Sequence, residues 1–143
     1  AWNDPAKGAE LTKSQIDRGA DVVYHAAGGT GMGVIQAAVD SGKLAIGVDS
    51  NQNGIAPGSV LTSMLKRVDV AAYETFMDAK NGRFSSGIRV LGVAEGGVDW
   101  AVDDNNASLI TDKIKSAVET ARSDILSGKV EVHNYETDSS CPY

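Results

Sequence analysis

Residues 20–49 read ADVVYHAAGGTGMGVIQAAVDSGKLAIGVD, and the fold turns on how they are understood. A short apolar run (Asp21 to Tyr24) leads into a glycine-rich turn (Ala27 to Gly33) and a helical stretch (about Gly31 to Ser41). A second apolar run (Lys43 to Val48) follows and ends on Asp49. Short apolar runs alternating with one helical run predict a β-α-β unit with parallel strands. Loops leaving the carboxyl ends of parallel strands share one edge of the sheet, where open α/β sheets bind ligands. The glycine turn and Asp49 are therefore the first candidates for a site.

Upstream, Asp4 followed by Pro5 is an N-cap with proline at the first helical position. Leu11, Ile16 and neighbouring alanines supply an apolar stripe, and Gly19 ends the helix. A helix in an α/β domain normally follows a strand, and too few residues precede this one to make it. The expectation is that the chain is the C-terminal portion of a longer protein. Trp2 would then sit at the carboxyl end of the preceding strand, on the edge shared by the glycine turn and Asp49; its plain alternative is a tryptophan covering a helix start.

Downstream, Pro57-Gly58 punctuates the chain, and SVLTSMLKR reads as a strand passing into a helix. The run Val68 to Ala79 places Val68, Ala72 and Phe76 on one helical face, with Ala71 and Tyr73 alongside, and stops at Asn81-Gly82. GIRVLGVA (Gly87 to Ala94) reads as another strand. In VDWAV, Val98, Trp100 and Val102 alternate with Asp99 and Ala101, predicting a strand with one polar face. Thr111 or Asp112 caps a last helix with an apolar stripe of Ile114, Ala117, Val118, Ala121, Ile125 and Leu126, ending at Gly128. KVEVH makes a final short strand, and NYETDSSCPY a loosely held tail.

Composition narrows the function. The 143 residues are 42% hydrophobic, enough for one domain with a core. A net charge of -6, with no basic cluster longer than Lys66-Arg67, disfavours a nucleic-acid partner. No run of 18 apolar residues is present, so no segment reads as a membrane span. The single cysteine, Cys141, excludes an internal disulfide and a Cys-based zinc site. It is either an inert tail thiol or a bridge to a segment outside this chain.

Each candidate residue has a plain reading beside the functional one. The turn Gly28-Gly29-Thr30-Gly31-Met32-Gly33 could hold an anion on bare amides, but Val34 stands where GxGxxG needs its third glycine, and no Lys-Ser/Thr follows as in a P-loop. Four glycines still permit close approach of a backbone or a ligand. His25 has no Cys, Asp or Glu in ligand spacing, so a hydrogen-bonded structural histidine is expected. Asp49 can accept two hydroxyl hydrogen bonds, as in sugar recognition, or start an Asx turn. Lys66, between Leu65 and Val68, reads on spacing alone as a snorkelling surface residue. Asp103 to Ala107 lacks DxDxDG calcium spacing. GxSxG, HExxH and CxxC are absent, nothing pairs a nucleophile with a base, and no cofactor motif is present. Binding is the class the residues favour.

Six blocks carry a resemblance: WNDPAKG (Trp2 to Gly8), DRGAD (Asp17 to Asp21), AAGGTGMGV (Ala26 to Val34), IGVDSNQ (Ile46 to Gln52), PGSVLTSMLKRVDVA (Pro57 to Ala71) and EGGVDWA (Glu95 to Ala101). Together they closely resemble the basic membrane protein, or PnrA-like, family of substrate-binding lipoproteins of ABC importers, over about residues 1 to 134. The resemblance implies an α/β chain with a type I periplasmic binding fold, in which two lobes close over a purine nucleoside. This chain would supply mainly the C-terminal lobe (1–134) and a tail (135–143). The segment after Lys66 would cross back towards an N-terminal lobe.

By the same resemblance Trp2 stacks on the base, Gly28 contacts the ligand through its backbone, Asp49 accepts from ribose hydroxyls, and Lys66 donates to the sugar. That last role reverses the reading from spacing. The resemblance also implies a transporter permease as partner and a periplasmic or lipid-anchored cell-surface location in bacteria. Other readings stand beside it: an enzyme whose base or nucleophile lies in the other half, a truncated, stand-alone or swapped α/β unit without a tight ligand, and a sugar- or free-base-binding protein of the same fold.

Overall fold

The computed structural model describes residues 1–140, so Cys141 and its two possible roles lie outside the described residues. The chain divides into two compact units, Ala1–Thr111 and a second beginning at Asp112.

The first unit is built on a four-stranded sheet of order β1-β2-β3-β4. Its strands are β1 (Val22–Tyr24), β2 (Leu44–Gly47), β3 (Val60–Lys66) and β4 (Val98–Trp100), with helices α1 (Pro5–Asp17), α2 (Thr30–Asp40) and α3 (Val68–Lys80). β1, β2 and β3 are parallel and β4 is antiparallel to β3, pairing Met64 with Trp100 and Lys66 with Val98. The predicted β-α-β unit is therefore present. Its core is Ile35 and Ala38 of α2 against Ala45 of β2 and Val60 of β3, with Val39 and Ala56 packed on it. Small residues face the sheet, so α2 lies close to it.

The glycines of the turn are used for packing. A Cβ on Gly33 would run into the carbonyl of Pro5, and one on Gly8 would lie 2.5 Å from the carbonyl oxygen of Thr30. These two bare backbones let α1 and α2 touch. The buried residues of α1 are consequently Gly8 and Thr12; of the expected stripe, Ile16 is half-buried one turn on along the same face and Leu11 is exposed. The Asp4 cap forms as expected, Oδ1 accepting from Lys7 N at 2.9 Å.

Two expected strands do not form. Gly87 to Ala94 forms no strand, and Ile88 is 97% exposed. No strand among the described residues lies alongside it, and an extended run without a neighbour has no ladder to join. KVEVH is likewise not a strand. α3 forms over the predicted residues but buries none of them, leaving Phe76 75% exposed. The strand β4 ends at Trp100, short of the expected run, and past it the expected alternation is reversed: Ala101 is buried and Val102 exposed. Ala101 lies against β3, its N–H donating to the Ser63 carbonyl and its own carbonyl accepting from Thr62 Oγ1 at 2.8 Å.

In the second unit α4 (Asp112–Leu126) forms over the expected span and buries no residue. Gly128, at φ 73, follows its end. The expected loose tail contains one helical turn, α5 (Tyr135–Asp138), capped by Asn134 accepting from Glu136 N at 3.0 Å.

Candidate functional site

Parallel pairing sends the ends of β1, β2 and β3 to one edge. Gly28 follows β1, Asp49 follows β2 and Lys66 ends β3. All three, together with Trp2, occur as two side-by-side pairs.

The first pair is Trp2 with Gly28. Residues 1–4 are laced to the glycine turn: Thr30 N donates to the Trp2 carbonyl (3.1 Å), and Gly29 N to Asn3 Oδ1 (2.9 Å). Thr30 Oγ1 donates to the Ala1 carbonyl and accepts from Asp4 N, both at 2.8 Å. This network lays the indole over Gly28, where a Cβ would come within 2.6 Å of Trp2 Nε1. Trp2 nevertheless stays 64% exposed, presenting a large aromatic surface at the ligand edge.

The second pair is Asp49 with Lys66. Asp49 takes a left-handed backbone, φ 68, uncommon for a residue with a side chain. β3 holds it there. Lys66 N donates to the Asp49 carbonyl at 2.8 Å, and Lys66 Nζ lies 3.0 Å from Asp49 Oδ1. The lysine is thus not merely snorkelling: its ammonium is aimed at the carboxylate. The Asx turn is made by Asn51 instead, whose Oδ1 accepts from Asn53 N at 3.0 Å.

The loop after β2 is anchored from below and from the side. Gln52 Oε1 accepts from Val48 N (3.0 Å), Gln52 N donates to Ser63 Oγ (2.9 Å), and Ser63 Oγ donates to the buried Asn53 Oδ1 (2.8 Å). Asn51 and Asn53 both donate to Asp103 Oδ2, at 2.7 and 3.1 Å. Buried Asn106 donates to the carbonyls of Leu61 and Ala101, both at 2.9 Å. Asn51 foremost, then the Asn105 backbone N–H, with the Asn105 and Asn53 side chains, hold the Asp103 carboxyl below its ordinary range. Sequence reading passed over this network, because nothing in DDNNA distinguishes a loop facing water from one that ties two strands together.

Beside Asp49 and Lys66 lies a groove of about 450 Å³ that Ser50, Asn51, Arg67 and Asp69 also line. Arg67 clasps Asp69 through Nη2–Oδ2 (2.8 Å) and Nε–Oδ1 (3.0 Å). The bond lowers the Asp69 carboxyl and raises the Arg67 guanidinium. Neither residue was singled out from sequence for this place.

His25 corrects an expectation. It is buried, with 6% exposed, but among the described residues neither ring nitrogen has a hydrogen-bond partner. Its ring fills the space over Gly31, where a Cβ would collide with it. Among the described residues no group of three or more His, Cys, Asp or Glu is arranged to hold a metal ion, and no helix is long and apolar enough to cross a membrane.

With this geometry in place, comparisons locate the chain among known proteins. A family model described as ABC transporter substrate-binding protein PnrA-like matches residues 1–135. The ABC transporter nucleoside-binding protein BmpA of Lactococcus lactis is 35% identical over 92% of this chain and 41% of its own length. An uncharacterized lipoprotein of Pyrococcus furiosus is 39% identical over 71% of the chain and 27% of that protein. A crystal structure of an ABC transporter solute-binding protein from Aeropyrum pernix K1 superposes with a TM-score of 0.78 at 25% identity, over 95% of this chain and 47% of that one. The chain thus spans less than half the length of the relatives it matches. The family and the solved structure are of substrate-binding proteins, not enzymes.

Proposed function

Since this chain belongs to the PnrA-like family of ABC transporter substrate-binding proteins, we propose that it forms the ligand-contacting edge of a nucleoside receptor serving a bacterial importer. In this reading residues 1–134 are mainly the C-terminal lobe of a type I periplasmic binding fold, and residues 135–143 are its tail. An N-terminal lobe closes over the ligand, and closure signals occupancy to the transporter permease. The lipoprotein name of a relative supports a lipid-anchored location outside the cytoplasm. The name of the Lactococcus relative supports a nucleoside as ligand.

The observation that carries the reading is the left-handed Asp49, clamped by Lys66 on the same sheet edge as the exposed indole of Trp2. A carboxylate has about four acceptor positions, and Lys66 takes one oxygen, leaving room for vicinal ribose hydroxyls. Charge-assisted hydrogen bonds are the strong ones, and lobe closure would strengthen them by excluding water. The lysine ammonium keeps further protons for a sugar oxygen. Trp2 offers a face on which a base stacks, and the bare Gly28 lets the indole lie against the turn that presents it.

Calorimetric titration of guanosine, adenosine, inosine and a pyrimidine nucleoside into the full-length protein tests the reading. Purine nucleosides are expected to bind tightly. Trp2→Ala removes stacking worth about 1–3 kcal/mol, which is roughly 5- to 150-fold in affinity. Asp49→Ala removes charge-assisted bonds worth about 1.5–3 kcal/mol each, so losing two hydroxyl contacts together should cost about 3–6 kcal/mol, roughly 100-fold or more in affinity. A folded protein that gives no heat with any nucleoside would sink the assignment.

A further inference from the structure

The groove beside Asp49 contains two cations, and both already have carboxylate partners. Lys66 pairs with Asp49 at 3.0 Å, and Arg67 pairs with Asp69 at 2.8 Å. Asp69 is also the acidic residue in the first turn of α3, where a carboxylate meets the positive end of the helix. A guanidinium fork beside a helix start is the combination that would ordinarily receive a phosphate. Here an internal carboxylate occupies it.

From this we propose that the groove excludes phosphate esters, and that Asp69 is the residue that separates a nucleoside from a nucleotide. The inference rests on the nucleoside reading given above. A neutral nucleoside brings hydroxyls, which can share Asp49 without breaking either ion pair. A phosphate monoester brings up to two negative charges into a groove already holding two carboxylates, and among the described residues that line it both cations are already paired. It must either displace Asp69 from Arg67 or accept repulsion from both acids. Of the two acids only Asp69 makes no proposed contact with the ligand. Its removal should therefore change the preference without weakening nucleoside binding.

The test compares guanosine with guanosine 5′-monophosphate on the full-length protein, wild type and Asp69→Asn, by calorimetry at low and high salt. Wild type is expected to bind the nucleoside more tightly by roughly ten-fold or more. Asp69→Asn should bind the monophosphate several-fold better, with nucleoside affinity unchanged and the gain lost at high salt. Adding Arg67→Gln to Asp69→Asn restores neutrality and should return the wild-type preference, which a general loosening of α3 would not do. Equal affinity of wild type for both ligands overturns the exclusion and leaves the nucleoside reading standing. So does an Asp69→Asn variant that shifts neither ligand, or both together. Absence of guanosine binding to a folded wild-type protein overturns both.

Discussion

The β1-α2-β2-β3 layer and the segment from α3 to Gly97 carry similar apolar patterns, yet only the first is buried. In the layer, Ile35, Ala38, Ala45 and Val60 are each almost fully enclosed. In the segment, Val68, Tyr73, Phe76, Phe84, Ile88 and Val90 are all exposed. A pattern of apolar residues specifies which face seeks cover and says nothing of whether the covering element is at hand. The layer supplies its own partner, because β1 and β2 are contiguous with the helix that crosses them. The segment does not, and its one would-be strand stays unpaired.

The largest effect that would break this contrast is a cavity in the layer. Ile35→Ala is expected to cost about 2–5 kcal/mol, because a fully buried side chain against a sheet leaves space that neighbours cannot fill. Urea denaturation of the folded chain measures it. A loss below about 0.5 kcal/mol would mean that the layer is as loosely held as the segment, and the comparison would fail.

What could be read beforehand follows the same division. Asp4-Pro5, the alternation around residues 20–49 and the stops at Asn81-Gly82 and Gly128 are local signals, and local signals were legible. The inward face of α1 was not. Gly8 faces inward because Thr30 of α2 comes close enough to need a bare neighbour, as Pro5 of α1 does of Gly33, a property of two helices together. The pairing of Asp49 with Lys66 depends on β3 lying beside β2, which spacing cannot supply; the resemblance pointed to the residues, and the topology explains why they meet. His25 was expected to have a partner because buried imidazoles usually do, and among the described residues it has none.

A smaller effect sharpens the comparison at its boundary, where the loop after β2 is tied to the loop after β4. The folded carboxyl of Asp103 lies below its ordinary value, chiefly through Asn51. Its contribution to stability is therefore complete above the unfolded carboxyl range, near pH 4, and is lost as pH falls through the lowered value. Asp103→Asn should melt at a lower temperature than wild type near neutral pH, and the gap should close on acidification. A gap that is constant down to about pH 2 would mean that the charge of Asp103 is not what holds the loop.

The smallest effect is the most discriminating. Phe76→Ser in this chain should change stability by less than about 0.5 kcal/mol, since the ring is largely in water already. In the full-length protein the proposed architecture sends the segment after Lys66 towards the other lobe, where the same ring would be enclosed and its loss would cost about 3–5 kcal/mol. Parallel denaturation of both forms separates the possibilities. A large loss confined to the longer protein identifies the exposed face of α3 as an internal surface whose cover is the other lobe. Equal, small losses in both would mean that the apolar face of α3 is open in the whole protein as well, and the segment would then have to be explained by something other than an absent neighbour.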